Sequence, residues 1–340
     1  MNIHKNKIAL LFLLTVATAA FSCKKDETTE TSPSMNGTLR FSVPEYVTAG
    51  SRITITPKGV EHPEGKGIGY SWKVTPGSEV ADTVKTEDGP GDGSYNYVLE
   101  DELGDYTISC TAFASGYLSK TASYIVTLVK GGAVGGSITE NGISATDLRI
   151  TDTRDSKAYY YVNHGNLSWF RNNLAYSESG IAYRNCESMD EVLGRFYTWE
   201  EAQTACPNGW RLPTDKEWCE LAAEITGGTF AENETLKGAS GAIMVNAKFN
   251  SDLLWEFWPQ VKITNSAKLS VLPAGYANVA EGTPSFGGAG DFAVIWTSDE
   301  ANETQGLYRY IHEESPDIMS GAADKKSFAA SVRCVREISK

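Results

Sequence analysis

The sequence predicts two domains, an all-β sandwich followed by a mixed α+β domain, and three observations carry that prediction. Between residues 37 and 130, apolar residues recur with a period of two, the mark of half-buried strands. A glycine-rich run, Gly131-Gly132-Ala133-Val134-Gly135-Gly136, then breaks the pattern. Beyond it the period changes: Trp199, Ala202 and Cys206 fall at helical spacing, and Thr214 with Glu217 three residues later forms a helix-opening capping box.

The first element is N-terminal. Lys5 and Lys7 precede an apolar run from Ile8 to Ala20. That run is shorter than the roughly 20 residues a transmembrane helix needs, so residues 1–22 read as a signal peptide. Ala20-Phe21-Ser22-Cys23 resembles a lipoprotein lipobox, which implies acylation of Cys23 and a membrane anchor. Each buried methylene contributes about 0.8 kcal/mol to such an anchor. Lys24-Lys25-Asp26-Glu27 resembles the export signal of Bacteroidetes surface lipoproteins. The expected location is therefore the outer membrane, on the cell surface or, alternatively, its periplasmic face. Residues 23–36 are polar and read as a flexible tether.

Domain one spans 37–130. Leu39, Phe41 and Val43 alternate with polar residues, as do Ile53 and Ile55, and Tyr124, Val126 and Leu128. Turn-rich stretches at 61–67 and 88–94 separate them. Tyr70, Trp72 and Val74 share one face, as do Tyr106, Ile108 and Cys110. Trp72 reads as a core filler, Tyr106 as the donor of a tyrosine-corner bond, and Cys110 as a buried thiol. These residues resemble a PKD-type or immunoglobulin-like domain, which usually serves as a spacer. The Asp82-Thr83-Val84 triplet resembles a Bacteroidetes O-glycosylation acceptor. Residues 131–137 read as a linker.

Domain two spans 138–340. A short helix is expected over 199–206, ended by Pro207-Asn208-Gly209, and a second over about 215–225, closed by Gly227-Gly228. Gly194 to Trp199, Ala202, Cys206-Pro207, Gly209-Trp210, Leu212-Pro213 and Glu217-Trp218 occur in an order that resembles the Fibrobacter succinogenes major paralogous domain. So do Asp152 to Asp155, Trp169, Asn173 to Tyr176, and Ser331 to Arg336 at the end. That family occurs on secreted and surface proteins, and its biochemical role is largely undefined. The Trp199–Cys206 helix and Cys334 also resemble C-type lectin-like domains. Arg211 to Trp218 and Val332 to Val335 resemble the formylglycine-generating enzymes, which share a related fold. The expected whole is an all-β immunoglobulin-like sandwich followed by an α+β C-type lectin-like domain. The lectin resemblance implies a Cys206–Cys334 disulfide. Cys186 and Cys219 then either pair or stay free.

Chemistry is sparse. The net charge of −13 and the lack of basic clusters exclude a nucleic-acid binder. The four histidines fall in no metal-binding spacing. Residues 306–312 hold no cysteine where the formylglycine-generating resemblance would need a pair, so no enzyme and no cofactor is expected. Trp296 to Glu300 keep part of a calcium-lectin motif, which leaves Asp299 and Glu300 as candidate calcium ligands. Between 230 and 291, Trp255, Trp258, Tyr276 and Phe286 are candidate ligand-binding aromatics. The alternative is that Trp255 and Trp258 fill the core at helical spacing. The expected function is non-catalytic binding or adhesion toward a glycan or protein ligand. The alternatives are a structural or assembly part of a surface appendage and, behind it, a formylglycine-generating-type enzyme.

Overall fold

The computed structural model describes residues 32–75, 82–84, 93–99, 102–279 and 282–338. Cys23, the expected signal peptide and most of the expected tether lie outside these residues. Strand outweighs helix, 41% to 12%, so the chain is built mainly from β-sheets. Two units emerge. The smaller holds residues 50–127 with the described residues up to 44, and the larger holds 45–49 and 128–338.

In the smaller unit, the strands Lys120–Val129, Gly104–Phe113, Gly69–Thr75 and Asp82–Val84 lie side by side in that order, the first crossing the unit boundary near its end. Two further pairs, Asn36–Arg40 with Lys58–Glu61 and Arg52–Ile55 with Tyr95–Val98, are antiparallel. Alternation explains the core. Tyr70, Trp72 and Val74 are buried on one face, and Tyr106, Ile108 and Cys110 on one face of the neighbouring strand. Trp72 stacks on Tyr95 at 5.6 Å, meets Phe41 edge-on at 5.0 Å and donates its indole N–H to the Gly93 carbonyl. Tyr106 donates its hydroxyl to the Glu102 carbonyl at 3.1 Å, a tyrosine tie to the backbone just upstream. Cys110 is a free thiol, pushed up to about 12 by burial.

The larger unit carries four sheets. Leu167–Phe170 pairs antiparallel with Val335–Glu337, so an early and a late strand of the unit meet. Four helices follow in order: α1 (Asp190–Leu193), α2 (Trp199–Ala205), α3 (Asp215–Thr226) and α4 (Ser240–Ile243). The expected Thr214–Glu217 capping box opens α3, and a second box, Thr198–Glu201, opens α2. Gly227 closes α3 in the left-handed conformation. The apolar face of α3 buries Trp218 edge-on against Trp169, with centroids 5.1 Å apart.

Cys206, at the C-cap of α2, is bonded to Cys334. With a sequence separation of 128, the chain-entropy model gives this link about 5 kcal/mol of stabilisation. Cys186 and Cys219 do not pair. Each is buried in a different apolar cluster and donates its thiol locally, Cys186 to the Arg184 carbonyl and Cys219 to that of Ala231.

Residues 131–137, read as a linker, form a closed turn within the larger unit. The Ser137 amide donates to the Lys130 carbonyl, the Lys130 amide to the Ser137 hydroxyl, and the Gly132 amide to the Glu191 carbonyl. Glycine is there for space: a Cβ on Gly136 would sit 2.3 Å from the Gly132 carbonyl oxygen. Composition alone does not separate a glycine that loosens a chain from one that lets it close.

Candidate functional site: a half-exposed aromatic strip

The strands Phe292–Glu300, Gln305–His312 and Met319–Asp324 form an antiparallel sheet in the larger unit. Alternation divides the middle strand sharply. Leu307, Arg309 and Ile311 are buried, whereas Tyr308, Tyr310 and His312 are half-buried. The buried set faces α3. Arg309 donates Nε and Nη2 to the two carboxylate oxygens of Asp215, the first residue of α3, at 2.6 and 2.8 Å. Ile311 joins the same apolar cluster as Trp218.

The other face is aromatic. Register places Trp296 opposite Tyr308, and Phe292 opposite His312. The strand Phe328–Ala330 adds Phe328, and its neighbour Tyr276–Asn278 adds Tyr276. The rings then run in series. Tyr276 stacks on Phe328 at 5.4 Å and Phe328 on Tyr308 at 5.5 Å. Tyr308 touches Tyr310 at 5.8 Å, Tyr310 touches Phe292 at 6.4 Å, and Phe292 touches His312 at 4.5 Å. All six are partly buried, and all but His312 pack against the apolar cluster that holds Trp296. Trp296 holds the strip from beneath: it is fully buried, meets Tyr308 and Phe328 edge-on, and donates its indole N–H to the Tyr197 carbonyl at 2.7 Å.

Space for this arrangement is built in. A Cβ on Gly321 would lie 2.5 Å from the Tyr308 ring, so only glycine lets Tyr308 lie across the third strand. Burial, with Tyr310 and Tyr276 nearby, raises the Tyr308 hydroxyl above the usual phenol range. Tyr308 therefore stays a neutral hydrogen-bonding group at physiological pH. Chemically, the strip offers ring faces for stacking and tyrosine hydroxyls for hydrogen bonds.

The aromatic residues singled out by sequence are scattered. Trp255 is 2% exposed and donates its indole N–H to the Val271 carbonyl, which corrects its candidacy for ligand binding. Trp258 is half-buried against the same core cluster. Neither sits on a helix: residues 254–262 carry bends and turns, and Asn250 and Ser251 just before them have positive φ. Phe257, between the two, is 81% exposed. Phe286 faces away from the strip and packs on Tyr183 and Phe196, because Ala277, not Tyr276, is its cross-strand partner. Of the four, Tyr276 alone joins the strip.

Asp299 and Glu300 are committed elsewhere. The Asp299 carboxylate accepts the Asp215 amide at 2.6 Å, at the start of α3, where a negative charge meets the positive end of the helix dipole. Glu300 pairs with Lys325 at 2.9 Å. Among the described residues no group of three or more His, Cys, Asp or Glu side chains is arranged to hold a metal ion. No helix among them is long and apolar enough to cross a membrane.

The family model described as the Fibrobacter succinogenes major domain matches residues 162–336, which include all six strip residues. No curated protein matches the sequence. Among solved structures, "Superoxide reductase (Neelaredoxin) from Ignicoccus hospitalis T24K" is similar over 28% of this chain and 82% of its own, at 14% identity and a TM-score of 0.23. A likeness that slight carries no argument about fold or activity.

Proposed function

Because the chain belongs to the Fibrobacter succinogenes major domain family, we propose that it is a non-catalytic binding protein whose larger unit takes a ligand on the aromatic strip. The observation that carries this reading is the unbroken series Tyr276, Phe328, Tyr308, Tyr310, Phe292 and His312, each partly exposed. Apolar rings left partly open, backed by a buried tryptophan and edged by hydroxyls, suit the faces of sugar rings. A glycan is therefore the favoured ligand, bound without calcium, since Asp299 and Glu300 are spent on protein partners.

The finer assignments belong to the same proposal. A lectin-like fold for the larger unit is supported by the bond from the α2 helix to the strand-proximal Cys334. A PKD or immunoglobulin-like spacer is supported by the Trp72 core and the Tyr106 tie. Lipidation at Cys23 would present both units from the outer membrane. Labelling by a fatty-acid probe in expressing cells tests the anchor, and Cys23→Ala should abolish it.

The central test is a glycan array probed with the full chain, with and without EDTA. We expect selective, saturable binding that EDTA leaves intact. Losing a stacking ring removes about 1 kcal/mol or more, so Tyr308→Ala and Tyr310→Ala should each weaken binding several-fold to tenfold. Phe257→Ala, a change away from the strip, should leave binding unchanged. A blank array under both conditions would favour the assembly role instead, for which the strand Met319–Asp324, at the end of its sheet, offers an edge for pairing.

A further inference from the structure

Away from the strip, the larger unit has a partly open cavity of about 50 Å³ whose lining includes Arg171, Asn173, Asp190, Glu191, Ser270 and Arg333. Two of its walls are guanidinium groups. Arg333 is 1% exposed and Arg171 is 2% exposed. Arg333 donates Nε to Asn173 Oδ1 at 2.9 Å, Nη1 to the carbonyls of Arg171 and Leu269, and Nη2 to the Ser270 carbonyl at 3.2 Å. Every acceptor is neutral, and among the described residues no carboxylate pairs with it. Burial, then the neighbouring Arg171 charge, pulls its guanidinium down to about 9.

Arg171 is only partly satisfied. Nη1 pairs with Asp147 at 2.6 Å, and Nη2 donates to the Gly142 carbonyl and to Ser270 Oγ. Its Nε–H is buried and has no partner. The two guanidinium groups thus converge on Ser270, which is held at a φ of +53°. Of the two carboxylates in the lining, Asp190 is paired, both oxygens accepting from Arg195 Nη1 at 3.0 and 2.8 Å with Lys157 3.8 Å away, and Glu191 is exposed to solvent. A buried N–H without an acceptor costs about 1–3 kcal/mol, and more when the group is charged. Among the described residues that line the cavity, Arg171 Nε–H is the buried donor left without an acceptor.

We propose that this cavity is a binding site for a small oxyanion, a carboxylate above all, accepted by Arg171 Nε–H in the field of Arg333. Its volume admits only a few heavy atoms, so the ligand is of formate or acetate size, or the carboxylate end of a larger acid. Inorganic phosphate, with its tetrahedral shape, should fit less well.

The test is thermal unfolding of the full chain in sodium formate, sodium acetate or sodium phosphate, against sodium chloride at equal ionic strength. A melting temperature that rises saturably with formate or acetate, and less with phosphate, is expected. Arg171→Met should abolish the response, but it also removes the Asp147 pair and risks the fold. Arg171→Lys keeps the experiment decisive: it retains a cation beside Asp147 but removes the Nε–H, and its chloride melting temperature reports whether the fold is kept. Loss of the carboxylate response in a folded Arg171→Lys supports the site. Melting temperatures in formate and acetate no higher than in chloride overturn it. So does a response that survives in Arg171→Lys.

Discussion

Arg309 and Arg333 lie in the same unit, each 1% exposed, and are held in opposite ways. Arg309 meets a carboxylate head-on, with Asp215 accepting from both Nε and Nη2. Arg333 meets only carbonyls and the Asn173 amide oxygen. Asp215 opens α3, so the first arrangement fixes the helix start to the middle strand behind the aromatic strip. The second binds two chain segments, around Arg171 and around Leu269-Ser270, through neutral acceptors and leaves its charge unmatched. A paired buried charge is a joint whose halves depend on each other. An unpaired one is a strut whose loss costs hydrogen bonds but removes no partner.

Stability measurements can break that comparison. Asp215→Ala strands the Arg309 charge and should cost about 3–5 kcal/mol in denaturant unfolding. An apolar pair in place of both, Asp215→Leu with Arg309→Met, should recover most of that loss, because buried ion pairs repay little beyond their own desolvation. If the double variant unfolds as readily as the single, the pair acts through something other than charge. Arg333→Met should cost less, about 1–3 kcal/mol, since the lost hydrogen bonds are offset by the removal of an unmatched charge. A loss as large as that of Asp215→Ala would erase the distinction.

The smallest effect sharpens the comparison from the acid side. Glu313 is buried, and burial together with the nearby Asp291 and Glu256 raises its carboxyl above the usual 4.5. The folded chain then holds this proton more tightly than the unfolded chain. The stability it contributes is full below about 4.5 and lost as pH rises through the folded value. Glu313→Gln should therefore be the more stable protein at pH 7, and the gap should close as the pH falls toward 4.5. A gap independent of pH would mean that packing, not ionisation, sets the difference.

What could be read from sequence was short-range. The Thr214–Glu217 box, the Tyr70-Trp72-Val74 face and the Gly227 stop each depend on residues a few positions apart, and each stands in the structure. The Cys206–Cys334 link spans 128 positions and came only through family likeness. The strip was missed because four strands contribute to it and no local window contains it. One signal was available: Tyr308, Tyr310 and His312 alternate with Leu307, Arg309 and Ile311, as in a strand with one apolar-buried and one aromatic-open face. Trp255 and Trp258 misled because a three-residue spacing suggests a helix only where the backbone is helical, and here it bends. The cavity was equally hidden, since Arg171 and Arg333 are 162 positions apart.

The Cys206–Cys334 bond has a mechanical consequence for any protein tethered at one end and loaded at the other. Tension applied between the N-terminal side and the last residues travels through the bond and bypasses everything between the two cysteines. The enclosed chain would otherwise pay out roughly 420 Å at about 3.3 Å per residue. While the bond is intact that length cannot be drawn. Tyr276, Phe292, Tyr308, Tyr310, His312 and Phe328 all lie inside the loop, so pulling on the ends would not unravel the aromatic strip by direct extension.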